Sequence, residues 1–283
     1  MEILQYGFMQ RAILSGLIVG FICPIMGMFI VLRRMSLIGD SLSHIALSGI
    51  AGAVILNSNP LVGSLTASTI ASIVIEKLRK GYKQYADLAI AIIMAVGVGV
   101  SGILMSFSQD VNFDLFSFMY GSITTVTKED ILLIVFVGIV ILLFIKLFYK
   151  ELVYISFDEE SAKFSGIPVS LINNIFMILV AATITLTLRI VGVLLVSSLI
   201  ALPVAASLQI AKSFKNAMLW SVLFGEASII LGIFTSYYFD LAPGGTIVIL
   251  SVLTLILSAF YKNIEKNMNG KKAMYESKAL DTH

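Results

Sequence analysis

Asp40 and His44 stand four residues apart in Gly39-Asp40-Ser41-Leu42-Ser43-His44, within a stretch of apolar and small residues. On a helix, positions i and i+4 project from one face, which sets a carboxylate beside an imidazole. Oxygen and nitrogen donors of this kind suit zinc, and also manganese or iron. The same pair could instead hydrogen-bond to itself and only lock a helix bundle. A metal site needs more than two ligands, and the other of the two histidines is His283 in the polar tail. Glu226, in Leu223-Phe224-Gly225-Glu226-Ala227-Ser228, is a second acidic residue inside an apolar run. Either Glu226 or another copy of the Asp40/His44 pair could complete a site. An acidic residue at the centre of a membrane helix costs about 2.5–3.5 kcal/mol, so each needs a partner, a proton or a cavity.

Other chemistries find no purchase. The sequence has no Gly-x-x-x-x-Gly-Lys-Ser/Thr nucleotide loop, no His-Glu-x-x-His and no cysteine–histidine cluster. If transport is ATP-driven, the ATPase must be another polypeptide. The single cysteine, Cys23, cannot form an intramolecular disulfide and reads as a packing residue. Two rival classes remain. One is a secondary transporter with Asp40 and Glu226 as proton-coupling carboxylates. The other is an intramembrane enzyme with a metal on Asp40 and His44, which would lack a third clear ligand and a general base.

The elements that must position these residues are membrane helices. Hydrophobic residues make up 58% of the 283 positions and charged residues 13%. Soluble domains have roughly 45–50% and about 25%, so lipid must be part of this chain's solvent. A net charge of +2 gives no sign of a nucleic-acid partner. About nine runs approach the length of a span: 12–32, 38–56, 60–76, 86–107, 130–148, 169–188, 190–211, 217–238 and 244–261. The second, third and ninth are short, so eight spans are an alternative. The fold class is all-α and polytopic: a membrane domain over 1–261 and a polar tail over 262–283, which lies near anionic lipid.

Loop charge sets the orientation. With the N-terminus outside and the C-terminus cytoplasmic, all of the 19 basic residues except Arg11, Lys128 and Arg189 fall on the inside, Lys83 among them. The 149–168 loop is then cytoplasmic. A short helix is expected at its centre, with Asp158, Glu159 and Glu160 at the positive end of the helix dipole. Gly166 would end it and Pro168 would block continuation. Within the spans, Gly16 with Gly20, and Gly39 with Ser43 and Ala46, mark faces of close helix approach, while Pro24 and Pro203 mark kinks.

Four blocks carry a family resemblance. They are Leu32-Arg33-Arg34-Met35-Ser36-Leu37-Ile38 running into Gly39–His44; Phe157-Asp158-Glu159-Glu160-Ser161-Ala162-Lys163-Phe164-Ser165-Gly166; Arg189-Ile190-Val191-Gly192-Val193-Leu194-Leu195 through Ala201-Leu202-Pro203; and Ser236-Tyr237-Tyr238-Phe239-Asp240 through Gly244-Gly245-Thr246. In this order they resemble the zinc/manganese-type ABC transporter permeases, the zinc branch somewhat more. The resemblance implies a multi-pass inner-membrane permease without its own ATPase site, importing divalent metal as its cargo. It implies a homodimer, two cytoplasmic ATP-binding subunits and an extracytoplasmic metal-binding protein. It implies that Asp40 and His44 line the metal path; Glu226 rests on the burial argument alone. It also casts the 149–168 helix as the element that docks on the ATPase, with Ala162 as a small face and Phe164 as an aromatic anchor.

Overall fold

The computed structural model describes residues 5–81, 86–107, 115–122, 124 and 126–280; Lys83 and His283 lie outside the described residues. Among these the chain is helical, without strands. In order the helices are α1 (Gly7–Leu32), α2 (Ile38–Ile55), α3 (Pro60–Gly81), α4 (Ala86–Phe107), α5 (Leu115–Tyr120), α6 (Lys128–Leu147), α7 (Tyr149–Phe157), α8 (Glu159–Phe164), α9 (Val169–Val191), α10 (Val196–Ile210), α11 (Phe214–Phe239) and α12 (Pro243–Leu280). Eight of them are long and apolar enough to cross a membrane.

Eight helices reach the length of a span; the run that does not form one helix of that length is 190–211, not one of the three that looked short. The cause is local. α9 continues through Val191 and absorbs the start of that run. Gly192 then takes φ 88°, a left-handed conformation that only glycine adopts at little cost, and breaks the helix. α10 resumes at Val196 with 15 residues. At about 1.5 Å per residue it reaches roughly 22 Å, less than the ~30 Å hydrocarbon core, yet the chain still changes ends here, from Arg189 beside Asp130 to Phe214 beside Tyr149 and Phe157. The polar tail is largely helical, continuing α12 past residue 261 to Leu280.

Burial sorts the helices. α1, α2, α9 and α10 supply most of the buried apolar side chains, including Met26, Phe29, Leu42, Phe176, Ile184 and Leu199. α4, α6 and α12 turn large apolar groups outward, such as Ile103, Phe136 and Ile249. Water would not tolerate so much exposed hydrocarbon, and lipid does. Where no hydrophobic drive separates helix from lipid, close packing of small residues holds helices together. Gly49 of α2 and Gly63 of α3 pack backbone against backbone. Gly16 and Gly20 of α1 lie against Ile229 of α11, and Gly225 of α11 lies against Pro24. Hydroxyl and thiol pairs add to this: Ser68 with Thr185 at 2.8 Å, and Cys23 with Thr187 at 3.1 Å.

Polar contacts gather at the two ends of the bundle. At one end Arg11 Nε donates to the Val126 carbonyl at 2.8 Å, and Arg189 pairs with Asp130 at 3.3 Å. Asp130 is itself half of a capping box with Thr127 that starts α6. The other end holds Arg33, Glu76, Arg79 and the α7–α8 segment.

Candidate metal path and docking helix

Asp40 is the third residue of α2 and His44 lies one turn further on. As the run 38–56 implies, Asp40 sits in the first turn of its helix, where the positive helix end favours a carboxylate. Both side chains are half-buried. Neither makes a hydrogen bond or ion pair with another described residue, nor do they bond to each other. The pair is thus no structural lock. It is a carboxylate and an imidazole on one helix face, with their donor atoms unspent.

Two close approaches fix this segment of α2. A Cβ on Gly39 would meet Ser197 of α10 at 2.9 Å, so the N-terminal turns of α2 and α10 touch there. A Cβ on Gly97 of α4 would meet the Ile45 nitrogen at 2.9 Å and the His44 carbonyl carbon at 3.0 Å. The sequence marks Gly39 as a packing position, whereas Gly97 is one of several glycines in an apolar run and carries no such mark.

Glu226 is elsewhere. It lies midway along α11 and faces α1, with its carboxyl carbon and Oε2 each 3.3 Å from where a Cβ on Gly20 would stand. α10 packs against both α2 and α11, which share no extensive interface of their own. Among the described residues, no three His, Cys, Asp or Glu side chains come together to hold a metal ion. Glu226 does not join Asp40 and His44 within one copy of the chain. Its Oε2 is buried with no hydrogen-bond partner, and Ser228 bonds instead to the Phe224 carbonyl. Pro24, having no N–H, also leaves the Gly20 carbonyl of α1 without its helical donor. A carboxyl oxygen and a spare carbonyl therefore share one small region. Glu226→Gln brings an amide donor to it and is expected to raise stability by about 1 kcal/mol. Thermal unfolding of the purified variant checks this; a fall in melting temperature would mean that the carboxyl has a use the amide cannot fill.

The helix expected within 149–168 is present as α8. Asp158 caps it, accepting from the Ser161 backbone at 3.0 Å and from the Ser161 hydroxyl. These donors hold the exposed Asp158 carboxyl below the usual carboxylate range. Gly166 at φ 81° ends the helix in a Schellman arrangement: Ile167 N–H donates to the Ala162 carbonyl and Gly166 N–H to that of Lys163. The side chains sort differently from expectation. Ala162 is fully buried in this chain's own core, so it offers no face to a partner. Its position, one turn into a helix with a charged start, placed it equally well on either side. Phe164 is 90% exposed, and Phe157, Asp158 and Glu160 are exposed beside it. Glu159 turns partly inward, to Arg79 and Asn173.

Residues 5–262 match the ABC 3 transport family. This chain belongs to that family. With eight apolar helices it is a multi-pass membrane permease subunit of the cell membrane, and the ATPase of such a system is a separate chain. The manganese import system permease protein ScaB of Streptococcus gordonii is 33% identical over 256 residues, covering 90% of this chain and 92% of that protein. The manganese transport system membrane protein MntC of Halalkalibacterium halodurans is 28% identical over 260 residues, covering 92% and 89%. A solved structure, PsaBC from Streptococcus pneumoniae in complex with Fab, superposes with a TM-score of 0.81 at 30% identity, covering 93% of this chain and 97% of that one. The family assignment gives no support to a proton-coupled secondary transporter.

Proposed function

We propose that this permease forms the transmembrane path of an ATP-driven importer for a divalent transition metal. The observation that carries the reading is the unpartnered Asp40/His44 pair on one face of α2, in a chain of a transport family. Two copies of the chain would supply four ligands near a common axis, enough for a transient site. Import requires release, so an incomplete or distorted site serves better than a tight one. The resemblance in the sequence leans toward zinc, while the names of the relatives lean toward manganese. Oxygen and nitrogen ligands without thiolate are consistent with manganese, which becomes the first cargo to test, with zinc and iron beside it.

In this reading the chain has its N-terminus outside and its C-terminus in the cytoplasm. The exposed face of α8, centred on Phe164, seats in the cytoplasmic ATP-binding subunit. An extracytoplasmic metal-binding protein delivers the ion to the opposite end. The test is cellular manganese, zinc and iron, measured together in a strain lacking the gene and in the complemented strain. Wild type should restore one metal, while Phe164→Asp, which puts a charge in an apolar seat, should not and should lose the ATPase subunit on purification. Unchanged content of all three metals on deletion would sink the reading.

A further inference from the structure

Glu159, the first residue of α8, is held by two elements at once. Arg79 Nη2 of α3 donates to its Oε2 at 3.0 Å and its Oε1 at 3.3 Å, and Asn173 Nδ2 of α9 donates to Oε1 at 3.3 Å. Arg79 is itself anchored by Glu76, through Nε at 3.1 Å, and Glu76 is 1% exposed. Behind Asn173 stands a second guanidinium. Arg33, at the end of α1, donates from Nη1 to Asn173 Oδ1 at 2.9 Å and from Nε to Ser156 Oγ of α7 at 3.1 Å. It lies 4.6 Å above the Phe176 ring. Its remaining nitrogen, Nη2, is buried and has no hydrogen-bond partner.

A buried guanidinium nitrogen without an acceptor is costly, and native structures rarely leave one without a reason. Here an acceptor is near: the Glu159 carboxylate, reached through the Asn173 amide that both groups already share. One carboxylate thus stands between two arginines, and only one of them holds it directly. Burial and the neighbouring Arg79 charge lower the Arg33 pKa to about 10, which leaves it cationic at neutral pH. We propose that Glu159 is a positioning residue that exchanges Arg79 for Arg33 as α8 moves, and so passes that movement to the α1–α2 junction. The junction is short: α2 begins at Ile38, and Asp40 and His44 follow. Displacing Arg33 would therefore shift the segment that carries the pair, which makes this an element with two discrete arrangements that two sites can bias.

The inference rests on the import reading, and its test separates the two. The chain is purified with its ATPase subunit and reconstituted in liposomes, with manganese as the probe, and ATP hydrolysis and metal uptake are measured together. Glu159→Gln keeps the shape and removes the charge that both arginines seek. It should assemble and hydrolyse ATP near wild-type rates while metal moved per ATP falls by about tenfold, within the usual range of coupling energies. Arg79→Gln and Arg33→Gln remove opposite holders and should shift basal hydrolysis in opposite directions. A merely structural network would lower hydrolysis and uptake in step in all three variants, and that result overturns the proposal, as does an unchanged ratio in Glu159→Gln. If wild type moves no metal the import reading fails, and the directions of the two arginine variants still decide the exchange.

Discussion

Asp40→Ala and His44→Ala are each expected to cut metal uptake by more than about tenfold, the scale on which even outer-shell partners of metal ligands act. Both variants should remain folded in the membrane. The two halves of this expectation come from one observation. Because neither side chain bonds to another described residue, truncation breaks no hydrogen bond or ion pair that holds the bundle. Because both are half-buried, it opens no sealed cavity. Stability should stay within about 1 kcal/mol of wild type, in the range of substitutions away from packed or bonded features. Asp40→Asn sharpens the test, since it keeps the shape and removes the charge that the first turn of α2 favours. Uptake of labelled manganese, read beside thermal unfolding, checks both halves. Normal uptake by both alanine variants would remove the pair from the path, and joint loss of uptake and folding would make it structural after all.

The pair was legible because its signal is chemical and local. Two polar side chains at i and i+4 in an apolar run need no tertiary information to be placed on one face. The same holds for α8, whose acidic start and terminal glycine are written in adjacent residues, and for the close approaches at Gly16, Gly20 and Gly39. What the sequence hid depends on neighbours far along the chain. The direction in which Ala162 points is set by how α8 lies against α7 and α9, and its own residues do not say. The break at Gly192 looks like one glycine among several until its φ is seen. Glu76 ends the apolar run 60–76 in the sequence, yet it is fully buried in α3 and paired with Arg79 and Lys80. Here a signal existed, since Glu76 stands three and four residues from those bases, the spacing of helix-face ion pairs. Asn173 and Arg33 gave none: they lie 140 residues apart and meet only in the folded bundle.

Gly97→Leu should abolish uptake while leaving the Asp40 and His44 side chains themselves unchanged. Helix α4 carries three glycines at 97, 99 and 102, and the structure separates them sharply. A Cβ at 97 would stand 2.9 Å from the Ile45 nitrogen and 3.0 Å from the His44 carbonyl carbon, closer than side-chain carbons are found. The obstructing atoms are backbone, so they cannot rotate away as the tip of a flexible side chain would. Either α4 retreats or α2 yields at His44, and overpacking of this kind costs about 1–3 kcal/mol. Even if the protein withstands that cost, the imidazole is displaced relative to its path. At 99 and 102 a Cβ meets nothing within 4 Å. Leucine there removes a poor helix former and should, if anything, favour the helix by up to about 1 kcal/mol. The three substitutions are therefore internal controls for one another: same helix, same residue change, different neighbours. Uptake should be lost at 97 and retained at 99 and 102, with Gly97→Ala intermediate. Full uptake by Gly97→Leu would show that α4 does not hold α2 in the working transporter. Loss at 99 or 102 instead would mean that this open face is covered there by another chain.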